Sequence, residues 1–495
     1  MLRRFLFPAL SSGLILSSIT VAKADSPICP ADLPANINSI LARPELRSSL
    51  WGILVQPLNS RENLYSLQSD KLFIPASNVK LLTTAAALLG LPPDYTIVTP
   101  VYIEGQTPRL TGLTIIGKGD PTITDETLQT LAQQLRAEGV TSIDNVRVDD
   151  GYFQSNINAT WEWEDILFDY GVPASSLVLN RNSVTLKASP QSVGQPLELS
   201  WSDNIAARQW RLINKTLTTA GKTPPNLKIQ AVLGSSTLIV SGGLPADGAD
   251  DLSNIAIPDP SRYFLDKLSS SLQKVGISVK SVSVASNIPP RGEIFSHIPS
   301  LSLSQLITKV NKNSDNLLAE TLLQLVGVKD GVEPIEAVKS RLSTLGLNSA
   351  EYTIKDGSGL SRQNFVSPAL FVELLRQMSR TSAGGVYKDS LASGGKDGTL
   401  GSRFKDSALA VQAKTGTLSG VIALSGYVET ADQGTVVFST LVNNSNQPPA
   451  VVRKGIDEII GLLVRLKTCP SNNSEKREEK LIKVPTHSSL LLTHS

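Results

Sequence analysis

Three short segments carry residue types that could do chemistry. The first, Ser77-Asn78-Val79-Lys80, sets a hydroxyl and an amine three residues apart. On a helix that spacing puts both on one face, so the amine can reach the hydroxyl. A serine at a helix start also meets free backbone N–H groups and the positive end of the dipole, both suited to developing negative charge. Burial and nearby cations lower a lysine pKa enough for it to accept the serine proton. The pattern alone is weak, because further Ser-x-x-Lys tetrapeptides begin at Ser271, Ser393 and Ser402.

The second segment, Ser314-Asp315-Asn316, is predicted to open a helix, with Ser314 at its start. Helix capping explains those residue types as well as catalysis does. Beside a Ser-Lys pair, however, a second hydroxyl and a carboxamide could relay a proton and hold a substrate amide. Its duplicate, Ser202-Asp203-Asn204, follows strand-like Leu197–Trp201 and reads as a polar turn. The third segment, Lys414-Thr415-Gly416-Thr417, occurs once, at the end of an expected strand. Glycine there lets a ligand approach the backbone, and the lysine and hydroxyls offer donors for a carboxylate.

What the chain lacks narrows the chemistry. It has three histidines, His297, His487 and His494, the last two in a polar tail. A Ser-His-Asp triad would rest on His297 alone, and a multi-histidine metal site is disfavoured. No metal is therefore expected. The two cysteines, Cys29 and Cys469, lie near the two ends of the expected fold, either as a disulfide or as free thiols. A formal net charge of +2 gives no global field toward nucleic acid.

The elements that must position these segments can be read from periodicity. The 495 residues, 41% hydrophobic and 18% charged, suit two or three globular domains. Arg3 and Arg4, an apolar run to Val21 and Ala22-Lys23-Ala24 form a cleavable export signal, residues 1–24, so no transmembrane anchor is expected after cleavage. Helices are expected over 33–49 and 77–89, the latter ended by Pro92 and Pro93. From about 95 to 286 short β-rich runs alternate with turn residues. Helices resume over 303–310, 316–326, 333–345 and 368–379. A three-strand meander over 408–443 and a helix over 449–467 follow, then a charged tail expected to be disordered.

Order and setting together carry a resemblance that no single segment does. Ser-x-x-Lys, Ser-x-Asn and Lys-Thr-Gly follow one another at a helix start, a helix start and a strand, the set associated with penicillin-binding enzymes. With Gly117-Lys118-Gly119-Asp120-Pro121, Asp149-Asp150-Gly151-Tyr152-Phe153, Asp356 to Arg362 and Gly395 to Leu400, the mature chain resembles the class C low-molecular-mass penicillin-binding proteins. This is the D-alanyl-D-alanine carboxypeptidase/endopeptidase family. The resemblance implies an α+β multidomain fold: a serine DD-peptidase/β-lactamase-like domain of antiparallel sheet and helices, carrying a large β-rich insert. Expected boundaries are 25–98 with 296–470 for the peptidase domain, 99–170 with 246–295 for a first insert, 171–245 for a second nested insert and 471–495 for the tail.

The resemblance further implies residue roles. Ser77 attacks the penultimate D-alanine carbonyl, Lys80 is its base, and Ser314 passes a proton to the departing nitrogen. Asn316 orients the substrate amide and Lys80. Lys414, Thr415 and Thr417 hold the terminal carboxylate, Gly416 lies between them, and the backbone N–H groups of Ser77 and Thr417 form the oxyanion hole. No cofactor is implied. Peptidoglycan peptides and β-lactams are the implied partners, outside the cytoplasm, with endopeptidase action on cross-links left open. Asp150 and Asp356 are candidate contacts to a cationic substrate side chain. A β-lactamase and a non-catalytic penicillin-binding sensor are the alternatives; the block separating Lys80 from Ser314 argues against the first, and the intact Ser-Lys pair against the second.

Overall fold

The computed structural model describes residues 27–154, 157–405 and 410–469. The expected signal and the expected tail lie outside the described residues. Six antiparallel strands form the central sheet, in the spatial order Ala392–Ser393, Val411–Leu418, Val421–Glu429, Thr435–Asn443, Leu50–Pro57 and Tyr65–Leu67. The two central strands of the sheet, Val421–Glu429 and Thr435–Asn443, are apolar with little alternation and buried along almost their whole length, as expected where both faces of a sheet are covered.

Helices Leu33–Leu41 and Pro449–Val464 cover one face, packing Leu33, Ile37, Ile456 and Ile460 against Phe438 and Val442. The other face carries a larger helical layer, comprising Val79–Gly90, Leu303–Lys312, Asn316–Asp330, Pro334–Ser343 and Pro368–Met378. Ten of the twelve residues of Val79–Gly90 are buried. A helix apolar on nearly every side belongs in the middle of such a layer, which is why the Ser77 segment is held from all directions.

Cys29 and Cys469 are joined by a disulfide with a Cα–Cα distance of 5.6 Å, next to an Ile28–Leu466 β-bridge. The helix expected over 33–49 stops at Leu41, because Pro44 cannot supply an N–H to continue it and disfavours helical backbone just before it.

Between Gly90 and Leu303 the chain builds a five-stranded sheet, ordered Ser278–Ala285, Ser142–Asp149, Arg109–Ile116, Thr96–Gln106 and Glu293–Ser302. Helices Asp125–Ala137 and Pro260–Lys274 share its core. Thr96–Gln106 and Glu293–Ser302 pair antiparallel, so the expected boundaries at 98 and 296 fall inside one strand pair that leads the chain out and back. Two three-stranded sheets follow, one of Asp251–Ala256, Ser183–Ser189 and Glu198–Trp201, the other of Arg211–Thr219, Thr237–Pro245 and Lys228–Ala231. Asp251–Ala256 pairs with Ser183–Ser189, so the nested unit recruits a strand beyond its expected end at 245. His297 stands opposite Pro100 in the strand pair of the insert.

Candidate active site

Ser77 lies in a single 3-10 turn, Ala76–Asn78, that runs directly into helix Val79–Gly90. Ala76 has φ 47°, a left-handed conformation that a residue with a Cβ keeps only when its surroundings impose it. The restraints are identifiable. Asn443 brackets Ile74, accepting its N–H at 2.8 Å and donating to its carbonyl at 3.0 Å. Asn78 Nδ2 donates to Ser425 Oγ at 2.7 Å, anchoring the turn to the sheet. Gly359, at φ 82°, presses in from the far side: a Cβ there would sit 1.9 Å from the Ala76 carbonyl oxygen.

Lys80 is fully buried and its Nζ has three neighbours, Ser77 Oγ at 3.0 Å, Asn316 Oδ1 at 2.6 Å and the Ser358 carbonyl at 2.6 Å. A neutral amine has two N–H donors and one lone pair. Asn316 and Ser358 are pure acceptors at these atoms, so they take the two donors and leave the lone pair facing the Ser77 hydroxyl. Burial pulls the Lys80 ammonium down to about 8, against the opposing charges of Asp356, Glu320 and Asp315. Near neutral pH a usable fraction of the lysine is then a base.

Ser314 was expected to open the next helix. Instead Asp315 caps it, accepting the Leu318 N–H at 3.1 Å, and Ser314 takes φ 60° just outside. That left-handed turn frees the Ser314 hydroxyl from capping, and it accepts from Lys414 Nζ at 3.0 Å. Lys414 is fully buried in strand Val411–Leu418 and also donates to the Thr415 carbonyl at 2.7 Å. Burial, reinforced by the Lys80 charge, pushes Lys414 well below the usual lysine range.

Strand Val411–Leu418 brings the third segment against the nucleophile. Its outer neighbour Ala392–Ser393 pairs only with Ala413 and Gln412, so the edge beyond Lys414 faces the Ser77 turn. A Cβ on Gly416 would lie 2.8 Å from the Pro75 carbonyl oxygen and 3.1 Å from the Ser77 nitrogen. Only glycine lets the strand approach the turn so closely.

Ser77 and Ser314 line two clefts. The first, about 620 Å³, extends along Thr415, Gly416 and Thr417 to Thr399, Arg403 and Arg453. The second, about 360 Å³, runs past Asn316 to Glu162, Asp165, Tyr170 and Arg362. The insert thus forms one wall of the site. It also touches the second motif directly: Asn316 Nδ2 donates to the Tyr170 carbonyl at 2.7 Å, and Arg181 pairs with Asp315 at 2.6 Å.

The two acids expected as candidate substrate contacts are placed otherwise. Asp356 is fully buried beneath Lys80 and accepts from the Gly359 and Ser361 N–H groups, Asn364 Nδ2 and Trp161 Nε1, at 2.7 to 2.9 Å. No substrate side chain can reach a carboxylate so enclosed. Asp150 accepts from Ser261 and Ser286 within the insert, at 3.0 and 2.6 Å, and fastens that domain together. Sequence reasoning met Ser358 and Gly359 only within the Asp356 to Arg362 segment, with no role, and did not single out Tyr170, Arg181 or Glu320. Glu320 had a readable signal, as a lone charge in the apolar run from Leu317 to Val326. Asp203 caps the short helix Asn204–Ala207, so the duplicate Ser-Asp-Asn is a structural turn.

A cleft-lining serine beside a buried lysine, at the edge of a helix-covered antiparallel sheet, defines a serine hydrolase whose base is an amine. The chain belongs to the D-Ala-D-Ala carboxypeptidase 3 (S13) family, whose model matches residues 33–464. It is similar to a D-alanyl-D-alanine carboxypeptidase of Actinomadura sp. (strain R39), 32% identical over 446 residues, covering 85% of this chain and 82% of the relative. A penicillin-sensitive carboxypeptidase A of Dictyostelium discoideum is 26% identical, covering 84% of this chain and 87% of the relative. In fold it is similar to penicillin binding protein 4 of Haemophilus influenzae, with TM-score 0.77 and 21% identity over 87% of this chain and 99% of that one. No helix among the described residues is long and apolar enough to cross a membrane.

Proposed function

We propose that the protein is exported and trims peptidoglycan stem peptides, hydrolysing the terminal D-alanyl-D-alanine bond through an acyl-enzyme on Ser77. The observation that carries this reading is the Lys80 Nζ position, 3.0 Å from Ser77 Oγ and 2.6 Å from both Asn316 Oδ1 and the Ser358 carbonyl, which in the neutral amine leaves the lone pair for the hydroxyl. Lys80 takes the hydroxyl proton as Ser77 attacks the penultimate D-alanine carbonyl. The developing oxyanion meets the backbone N–H groups of Ser77 and Thr417, a donor pair whose members are each worth about 3 kcal/mol. Ser314, held by Lys414, hands its proton to the leaving D-alanine nitrogen and regains one from Lys80, which returns the amine to its neutral form. Water then attacks the ester, and Lys80 serves again as base.

The two clefts divide the substrate. Thr415, Thr417 and Arg453 line the cleft on one side of Ser77 and suit the terminal carboxylate, with Lys414 buried behind them. On the other side, Glu162 is paired with Arg362 at 2.9 Å, whereas the Asp165 carboxylate is bonded, among the described residues, only to the Tyr170 hydroxyl at 3.2 Å. Asp165 is therefore the insert acid available to a cationic side chain of the stem peptide. Penicillin enters as a mimic and acylates Ser77; sensitivity to it is named in a relative. Export is supported by the leader pattern and by the Cys29–Cys469 bridge, since disulfides persist in oxidising compartments. The β-lactamase alternative is weakened by Glu320, a buried glutamate committed to backbone N–H groups rather than to a water beside Ser77.

The test is release of free D-alanine from a peptide ending in D-Ala-D-Ala. Release by the wild type and none by Ser77→Ala is expected; fast penicillin turnover with no D-alanine would move the assignment to a β-lactamase.

A further inference from the structure

Glu320 lies in the middle of helix Asn316–Asp330, one turn beyond Asn316, and is 6% exposed. Its Oε1 accepts two consecutive backbone N–H groups, from Gly357 at 3.0 Å and Ser358 at 2.7 Å. The carbonyl of that same Ser358 accepts from Lys80 Nζ at 2.6 Å. One carboxylate therefore grips the two N–H groups on the near side of Ser358, whose carbonyl, in the next peptide, receives the general base. Packing alone does not ask for an anion here, since the neighbours Ala319, Leu322 and Leu323 are apolar core. A buried carboxylate is costly unless it is hydrogen-bonded and charge-balanced.

Resting on the serine–lysine reading of the site, we propose that Glu320 is a positioning residue for acylation, whose carboxylate anchors Ser358, the residue whose carbonyl receives Lys80, and supplies a counter-charge to that lysine. Among the described residues, the other charged groups around this pair come from each neighbouring element. They are Asp356 in the same loop, Asp315 at the helix start with Arg181 of the insert, and Lys414 on the sheet. Asp356 holds the far side of the same carbonyl, through the Gly359 N–H in its peptide plane, and the Ser361 N–H beyond. Glu320 also lines a separate cleft of about 650 Å³, with Trp161, Glu333 and Lys355, which gives its carboxyl a route to solvent. Burial and the charge of Asp356 push Glu320 up to about 7, so it is an anion where Lys80 loses its proton near 8.

The test uses the full chain and Glu320→Gln, which keeps the acceptor oxygen and the volume but removes the charge. The second-order rate of acylation by a fluorescent penicillin is followed from pH 5.5 to 10. Without the carboxylate, protonated Lys80 loses an attractive partner, so the acid limb moves to lower pH by about half a unit or more. The plateau falls by less than about tenfold. Glu320→Ala, which abandons the Gly357 and Ser358 N–H groups, lowers the plateau by about 100-fold. Wild-type labelling with an unmoved limb and plateau in Glu320→Gln overturns the proposal while leaving the serine–lysine reading intact. A Glu320→Gln variant that loses thermal stability yet keeps the wild-type pH profile does the same. Absence of wild-type labelling instead overturns the reading on which the proposal rests.

Discussion

Asn316 Nδ2 donates to the Tyr170 carbonyl at 2.7 Å while Asn316 Oδ1 accepts from Lys80 at 2.6 Å. One carboxamide thus joins the general base to the insert across 146 residues of chain. The arrangement also fixes which way the amide faces, because a carbonyl can only accept and the neutral amine can spare a donor. The insert is therefore part of the active site, not an appendage. It contributes a wall of the cleft, a partner for Asp315 and the indole that bonds Asp356.

The ionisation of Lys80 sets the pH dependence. A lysine pulled down to about 8 gains its lone pair as pH rises through that value. Acylation should climb about tenfold per pH unit below 8 and level off above it. Lys80→Met should remove the limb and lower the rate at least about 1,000-fold. A stopped-flow pH profile of penicillin acylation checks both.

Arg181 pairs with Asp315 across the domain junction and is 45% exposed, so the pair itself stabilises little. Its removal should show in catalysis more than in folding. Arg181→Ala is expected to shift the thermal midpoint by only about 2 °C or less and to lower kcat severalfold. Calorimetry beside D-alanine release distinguishes the two.

Gly359 cannot carry a side chain without displacing the Ser77 turn. Gly359→Ala meets the Ala76 carbonyl at 1.9 Å in a backbone conformation that itself disfavours alanine. Misplacement of the nucleophile by about 1 Å costs about 100-fold in rate. Penicillin labelling kinetics should show that loss.

Asp165→Asn should leave turnover of an uncharged model dipeptide within about twofold. It should raise KM about tenfold for a stem peptide whose third residue carries a free amine. Parallel assays with the acetylated and free-amine peptides check the difference.

Much of this architecture was legible in the sequence, for a physical reason. Residues that share a helical turn, as Ser77 and Lys80 do, declare their contact by spacing. The glycine of Lys414-Thr415-Gly416-Thr417 declares a close backbone approach. Partners drawn from distant segments declare nothing locally. Ser358 acts through its carbonyl, which every residue possesses, and Tyr170 likewise. Asp356 was visible as an acid in a glycine-rich loop, but its burial depends on Trp161, 195 residues away. Ser314 was assigned to a helix start because capping residues are interchangeable by type. Its release to Lys414 required Asp315 to do the capping. The strand pair 96–106 and 293–302 blurred the domain boundary because it belongs to both composition regimes.

The central claim is that Ser77 is the acylated residue. Mass spectrometry of peptides from the penicillin-treated protein tests it most directly. The account predicts one penicilloyl adduct, on the peptide containing Ser77, absent in Ser77→Ala; an adduct that persists in that variant, or maps to another serine, would contradict it.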